Sequence, residues 1–188
     1  MDPHLEMAEI QRRVYEAQGP AIYFERVKGS PFPAVCNLFG TMERSRFMFR
    51  DTLRAMQKIM ALKADPSALM KKPFTYLGLP WVGVQALPRK ARLGAPILYG
   101  KTTISALPQI KSWPDDGGPF ITLPQVYTEH PNSPGPMQSN VGMYRIQLGG
   151  NQYVADQQIG MHYQIHRGIG VHHHAALEKS EDLRVSIF

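Results

Sequence analysis

Proline and glycine restrict the fold of this chain more than any other feature of its sequence. Each occurs 16 times among 188 residues, and most of them lie beyond residue 73. Proline fixes its own backbone angle and lacks an N–H donor, while glycine adopts conformations that other residues avoid. The second half of the chain is therefore predicted to consist of short strands and shaped loops rather than long helices.

The charge balance narrows the class of ligand. Lysine and arginine outnumber aspartate and glutamate by 21 to 15, which gives a net charge of +6. The basic residues cluster only at Arg44/Arg46/Arg50, Lys71-Lys72 and Arg89-Lys90-Arg92. Because no aromatic residues are interleaved with them in a stripe, the pattern disfavours nucleic-acid binding and suits a site for a phosphate or carboxylate ligand.

Cys36 is the only cysteine, so no internal disulfide can form and a reducing compartment is indicated. The chain starts without a basic-then-apolar leader, and no apolar run approaches the roughly 20 residues that a bilayer span needs. We therefore predict a cytoplasmic protein without a transmembrane segment. The length and the 43% hydrophobic content allow one medium domain or two small ones.

The first third of the chain is predicted to be mixed helix and strand. In "DPHLEMAEIQRRVYEAQG" Asp2 is the expected N-cap, Pro3 the first helical residue and Gly19 the stop, for a helix of about four turns. Residues 21–27 and 32–40 are then predicted to form two strands joined by a turn.

A second helix is predicted over residues 41–63, with Thr41 as its cap. Its apolar face is formed by Leu53, Met56, Ile59 and Met60, and we interpret the methionines as core filler. From residue 65 to residue 113 we predict a connecting region without a firm helix beyond one turn at 67–70.

Strand character returns at residues 119–130, 140–148 and 152–170. The Gly149-Gly150-Asn151 turn predicts a hairpin between the last two strands. The second half is therefore predicted to be mostly antiparallel sheet and part of a barrel.

The strand at 140–148 carries an amide, a phenol and a guanidinium in Asn140, Tyr144 and Arg145. Alternation places Asn140 and Tyr144 on one face and Arg145 on the other, unless Gly142 forms a bulge. If these side chains point inward, the strand is one wall of a binding site.

Five of the seven histidines lie between residues 162 and 174. Metal binding is weakly supported by the residues alone, because no cysteine or carboxylate lies at zinc-like spacing and a hydrogen-bonded structural role is commoner. The adjacent His172, His173 and His174 alternate faces in an extended chain. We predict that these three lie at the surface or at a contact between protomers and are not ligands.

Four collinear blocks together resemble the UbiD family of decarboxylases: "DPHLEMAEI", "GPAIYFERVKGSPFPAVCNLFGT", "SNVGMYRIQL" and "IHRGIG". The resemblance implies non-oxidative, reversible decarboxylation of an aromatic or α,β-unsaturated acid, with 3-polyprenyl-4-hydroxybenzoate in quinone biosynthesis as one substrate. It also implies an α+β fold. An amino-terminal α/β domain with the connecting region would span residues 1–113, and an incomplete split β-barrel of the flavin-reductase-like kind would span residues 114–188.

The resemblance also implies the cofactors and the residues that hold them. The cofactor is prenylated FMN, supplied by a flavin prenyltransferase, with Mn²⁺ and K⁺ as an optional second ion. Asn140 and His166 match metal-ligand positions, Met143, Tyr144, Arg145, Arg167 and Gly168 match cofactor contacts, and Arg145 also matches a catalytic arginine beside the substrate carboxylate. Residues 162–164 fall where other members touch the flavin, but "HYQ" departs from the commoner sequence and is left out of the predicted site.

Family chains are more than twice as long and form homo-oligomers through a carboxy-terminal domain. The glutamate that completes their metal site and the acid that donates the proton have no match here, so we expect this chain to be a fragment or a truncated gene. Two function classes stay open. One is the amino-terminal portion of a decarboxylase, and the other is a non-catalytic flavin- or phosphate-binding module or an inactive remnant.

Overall fold

The computed structural model describes residues 1–85, 87, 94 and 99–188. The helices are α1 (Glu6–Glu16), α2 (Met42–Met48), α3 (Arg50–Ala64), α4 (Ala68–Lys71), α5 (Pro73–Tyr76), α6 (Leu79–Gln85) and α7 (Gly168–Glu178). The strands are β1 (Ile22–Phe24), β2 (Ala34–Cys36), β3 (Phe120–Ile121), β4 (Gln125–Glu129), β5 (Ser139–Met143), β6 (Ile146–Gln147), β7 (Gly160–Met161) and β8 (Val185–Ile187). Among these helices none has the length and apolar character that a membrane span requires.

The amino-terminal unit packs α1 against the hairpin of β1 and β2. The two strands are antiparallel, with Tyr23 opposite Val35. Met7, Phe24 and Val27 form a small buried core between helix and hairpin. The mixed helix and strand predicted for this region is confirmed.

The first helix begins later than the sequence predicts. Leu5, with φ of 68°, occupies the N-cap position, and the helix ends at Glu16 before Gln18 takes a positive φ of 53°. Asp2 caps a preceding turn instead, because its carboxylate accepts the N–H of His4 at 2.9 Å. The Asp2 and Pro3 start was therefore wrong by one turn.

The segment after the hairpin is entirely helical. Thr41 caps α2 as predicted, since its hydroxyl accepts the N–H of Arg44 at 3.2 Å. The predicted single helix is broken at Phe49 into α2 and α3. The prediction of a connecting region with one helical turn was wrong, because α4, α5 and α6 follow in short succession; part of that region, residues 86, 88–93 and 95–98, lies outside the described residues.

Two three-stranded antiparallel sheets form the second half. One sheet has the order β3-β6-β7 and the other has the order β5-β4-β8. The chain leaves one sheet at Met143 and enters the other at Ile146, so β5 and β6 are consecutive in sequence but pair with different strands. The predicted continuous strand over residues 140–148 is thus two strands with Tyr144 and Arg145 at the corner.

The main core lies where α7 covers the two sheets. Val126, Ile146 and Ile169 are completely buried there. α7 packs on β4 and β5 through a face that contains Ile169, Ala175 and Ala176. The prediction of a strand over residues 152–170 was wrong except at β7, because this apolar, small-residue segment packs as a buried helix.

The predicted hairpin after Leu148 is only partly correct. β6 and β7 do pair antiparallel, with Gln147 opposite Gly160. The chain between them is a loop of several turns rather than a tight connection. Gly150 and Asn151 open it with positive φ angles of 87° and 51°.

Candidate functional site

One cleft gathers most of the predicted site residues. It has a volume of about 670 Å³ and lies between β5, the segment after β7 and the start of α7. Its lining consists of Asn140, Val141, Gly142, Met143, Tyr144, His162, Tyr163, Gln164, Arg167 and Gly168. None of these side chains is a carboxylate, so the described lining presents cationic and neutral groups only.

Asn140 links the strand to the helix across this cleft. It sits on β5 opposite Thr128 of β4, and its Nδ2 donates to the Tyr144 hydroxyl at 3.4 Å. Its Oδ1 faces the helix start so closely that a Cβ on Gly168 would lie 2.1 Å from it. Gly168 is therefore the residue type that lets the amide oxygen reach the first turn of α7.

Tyr144 folds back over its own strand. A Cβ on Gly142 would lie 2.6 Å from the Tyr144 ring, so glycine is needed beneath it. The ring also meets Tyr163 edge to face, with centroids 6.4 Å apart. These contacts give the cleft one wall of two aromatic rings.

The amino-terminal end of α7 makes the cleft suitable for an anion. The first N–H groups of a helix have no partner inside the helix and carry partial positive charge. Arg167, the N-cap residue, has extended backbone and supplies no side-chain cap. Its guanidinium Nε donates to Gln164 Oε1 at 3.3 Å, which holds the cation at the rim of the cleft. Together these groups form an arrangement that binds phosphate in many proteins.

Arg145 lies outside the cleft lining. Its guanidinium donates to Asp116 Oδ2 at 2.7 Å and stacks 3.7 Å over the centroid of the Phe120 ring. The hydrogen bond and charge of Arg145 hold the pKa of Asp116 below its ordinary value. Because the chain bends between β5 and β6, Arg145 points away from Asn140 in the direction that the alternation predicts.

His166 is an exposed residue in the turn before α7 and does not line the cleft. Among the described residues, no group of three or more His, Cys, Asp or Glu is placed to hold a metal ion. The predicted metal ligands therefore reduce, within the cleft, to the Asn140 amide oxygen. This donor set is incomplete for Mn²⁺, which prefers several oxygen or imidazole ligands.

The three adjacent histidines have three different surroundings, because they lie on a helix rather than on an extended strand. His172 is buried and its Nδ1 hydrogen-bonds the Thr128 hydroxyl at 2.9 Å. His173 shares a hydrogen bond with the Tyr163 hydroxyl, and His174 reaches Glu178 at 3.4 Å. The prediction of surface residues was wrong for His172, whose pKa is lowered by burial and by the nearby His130.

Residues 162–164, left out of the predicted site, do line the cleft. They follow β7 directly, and β7 pairs with β6 through Ile146 and Met161. His162 donates its N–H to the Arg145 carbonyl at 3.0 Å, which extends this pairing. The signal that could have found them is the pairing of the two strands on either side of the loop after Leu148.

Comparison with family models defines the class of protein. The Rift-related domain of 3-octaprenyl-4-hydroxybenzoate carboxy-lyase (UbiD) matches residues 91–188, and the N-terminal domain of the same family matches residues 1–63. The first match alone covers more than half of the chain, so this chain belongs to the UbiD family.

Curated relatives match along the whole chain. A 4-hydroxybenzoate decarboxylase polypeptide of Chlamydia pneumoniae is 39% identical over 197 residues, which cover 100% of this chain and 31% of that protein. An uncharacterized protein of Chlamydia trachomatis is 42% identical over 200 residues, with 100% and 32% covered. The chain thus spans about a third of the length of these relatives.

Solved structures share the fold. Vanillic acid decarboxylase from Sedimentibacter hydroxybenzoicus, in closed form, has a TM-score of 0.71 at 23% identity, covering 100% of this chain and 37% of that chain. The UbiD-class enzyme HmfF from Pelotomaculum thermopropionicum, in an evolved dimeric form with prFMN, has a TM-score of 0.68 at 20% identity, covering 100% and 38%. The mixed helix-and-sheet architecture is therefore that of UbiD-class enzymes.

Proposed function

We propose that this chain supplies the phosphate-binding part of the flavin site in a UbiD-type decarboxylase. The reaction is non-oxidative, reversible decarboxylation of an aromatic or α,β-unsaturated acid with prenylated FMN. The observation that carries the proposal is the cleft, without a carboxylate in its described lining, in which Asn140 Oδ1, Arg167 and the start of α7 converge. Its support is the family membership of the chain and the HmfF complex with prFMN.

The cofactor phosphate would lie at the start of α7. The free N–H groups of the first helical turn donate to phosphate oxygens, and the Arg167 guanidinium adds a full positive charge. Tyr144, Tyr163 and Met143 supply apolar surface beside this anion site. Because the described lining has no acidic side chain, a phosphate would meet no repulsion from it.

The metal assignment is a proposal in its own right. Asn140 and His166 would provide an amide oxygen and an imidazole nitrogen to Mn²⁺, with K⁺ as an optional second ion. A complete set needs a carboxylate from outside the described lining of the cleft. We therefore expect metal binding by this chain alone to be weak.

Arg145 would orient the carboxylate of the substrate. When bound, prenylated FMN supplies the electron sink for the electrons left by departing CO₂. Arginine suits the orienting role because its planar fork pairs with a carboxylate in two hydrogen bonds. Asp116 and the Phe120 ring fix the guanidinium from one side, which restricts its position before substrate binds.

The wider setting follows from the family. We propose a cytoplasmic homo-oligomer that takes its cofactor from a flavin prenyltransferase, with 3-polyprenyl-4-hydroxybenzoate and quinone biosynthesis as one assignment of substrate and pathway. We also propose that the two sheets are part of a split β-barrel. The support is the corner at Tyr144 and Arg145, since strands that turn from one sheet into another are typical of barrels and orthogonal sandwiches.

A second candidate is a non-catalytic flavin- or phosphate-binding module. It is favoured because the described lining of the cleft has no acidic side chain that could donate a proton to the product carbon. Both candidates require cofactor binding, and only the first requires turnover.

The test is a fluorescence titration of the chain with FMN and with prenylated FMN, with and without Mn²⁺, followed by a CO₂-release assay on cinnamic and hydroxybenzoic acids. Gly168→Ala should abolish flavin binding because its methyl group would collide with Asn140 Oδ1. Gly83→Ala is the matched control, since a Cβ there meets nothing within 4 Å.

Binding without turnover would favour the non-catalytic module. Binding that Gly168→Ala leaves unchanged would remove the phosphate site from this cleft, and no binding by the wild-type chain would contradict both candidates.

A further inference from the structure

The positive charge of this chain is concentrated in one helical segment. Residues 42–85 contain eight lysines and arginines and three acidic residues, which is a net charge of +5 out of the +6 of the whole chain. The basic residues are Arg44, Arg46, Arg50, Arg54, Lys58, Lys63, Lys71 and Lys72. The remaining residues are close to neutral as a group.

The same segment exposes large apolar side chains. Met70 is 87% exposed, Phe74 85%, Leu77 69% and Trp81 66%. Tyr76 is the single buried residue between Met42 and Gln85. Contiguous apolar surface of this kind marks an interaction site rather than a scattered feature of a normal surface.

Cations and apolar residues alternate along these helices in separate stripes. On α3, Arg50, Arg54 and Lys58 follow a four-residue spacing on one side, while Met56 and Met60 follow it on another. Farther along the chain, Lys71 and Lys72 come just before Phe74. Lysine and arginine beside Trp, Phe and Leu are typical of helices that lie in the surface of a membrane.

We propose that helices α3 to α6 form a peripheral membrane-docking surface that binds the anionic headgroups of a lipid bilayer. The apolar side chains enter the headgroup boundary, and the cations pair with lipid phosphates. Protein interfaces are depleted in lysine, whereas anionic membranes attract lysine and arginine alike, so the composition of this surface favours lipid. This inference does not rest on the flavin site.

The test is co-sedimentation of the chain with sucrose-loaded vesicles. Phosphatidylcholine mixed with phosphatidylglycerol should retain the protein, phosphatidylcholine alone should not, and added salt should release it. Lys71→Gln with Lys72→Gln should weaken binding by about tenfold or more. Lys101→Gln with Arg184→Gln removes the same charge from exposed positions elsewhere and should leave binding unchanged.

Insertion of the apolar residues has its own readout. In a Trp113→Phe background, Trp81 fluorescence should shift to the blue on adding anionic vesicles, and Phe74→Ser should reduce both the shift and the retention. The proposal is overturned by equal binding to neutral vesicles, by no binding to anionic ones, or by an unchanged affinity of the Lys71/Lys72 variant.

Two further results would assign the surface to a protein instead. Self-association in sedimentation velocity that Phe74→Ser abolishes would show that a second copy covers it. Failure of the longer Chlamydia pneumoniae relative to bind anionic vesicles, while this chain binds them, would show that the surface is covered by the rest of the polypeptide.

Discussion

The helical segment of residues 42–85 and the two sheets of residues 120–187 are built on opposite principles. The helices bury one residue, Tyr76, whereas the sheets and α7 enclose Val126, Ile146 and Ile169 completely. Short helices are marginal in water without tertiary packing. The stability of this chain therefore resides mainly in its second half, and the helical segment depends on whatever covers it.

Core truncation should separate the two regions most strongly. Ile146→Ala should lower the free energy of unfolding by about 2–5 kcal/mol, because it removes a fully buried side chain and leaves a cavity. Met60→Ala, at a side chain that is 61% exposed on α3, should change it by less than about 0.5 kcal/mol. Urea unfolding followed by circular dichroism measures both. A comparable loss for Met60→Ala would show that the helical segment has a core of its own.

One glycine-to-alanine pair should give effects of opposite sign. A Cβ on Gly170 of α7 would lie 2.0 Å from the Ile165 carbonyl oxygen, so Gly170→Ala should destabilise the protein by about 1–3 kcal/mol. On α6, a Cβ on Gly83 meets nothing within 4 Å, and alanine there should stabilise the helix by up to about 1 kcal/mol. Thermal melts of the two variants check this, and a neutral Gly170→Ala would mean that α7 shifts freely over the sheets.

The sequence was informative where side-chain pattern decides structure. Alternation located β4 and β5, and the hydroxyl of Thr41 marked the start of α2. It failed for α7, because "GIGVHHHAAL" is apolar on nearly all sides and has no helical period to read. A helix buried between two sheets needs small residues such as Ala175 and Ala176 more than it needs an amphipathic face.

The site shows a similar limit. The residue types at Asn140, Tyr144 and Arg167 were found from the sequence, through the family resemblance. The approach of Asn140 to Gly168 depends on the register of β4 and β5 and on the position of α7, neither of which is local. The exposed methionines of α3 were misread as core because periodicity predicts which residues share a face and not what covers that face.

Ion pairs in the two regions should differ in the same direction as the cores. Arg145→Ala should cost about 1 kcal/mol, since Asp116 is only 9% exposed and loses its hydrogen-bonded partner. Lys71→Ala should leave stability unchanged, because the Lys71 and Asp65 side chains are 68% and 55% exposed. Urea unfolding at neutral pH measures both variants, and equal losses would contradict the difference.

The pH dependence separates the two pairs further. The pKa of Asp116 is lowered in the folded chain, so its pairing stabilises the fold above the ordinary value of 3.8 and this contribution is lost as the pH falls through the folded pKa. Arg145→Ala should therefore flatten the acid limb of a stability profile. An acid limb identical to wild type would show that the pair contributes nothing.

The smallest effect is expected from the imidazole buried under α7. The pKa of His172 lies below its ordinary value of 6.5 because burial and His130 disfavour the cation. The unfolded chain then binds more protons than the folded one, so stability should fall by less than about 1 kcal/mol as the pH drops from about 7 to about 5. His172→Gln keeps a hydrogen-bonding group beside Thr128 and should flatten this slope, whereas His174→Gln, at a side chain that is 71% exposed, should not. Equal slopes for wild type and His172→Gln in urea titrations would place the pH sensitivity outside the junction of α7 and β4.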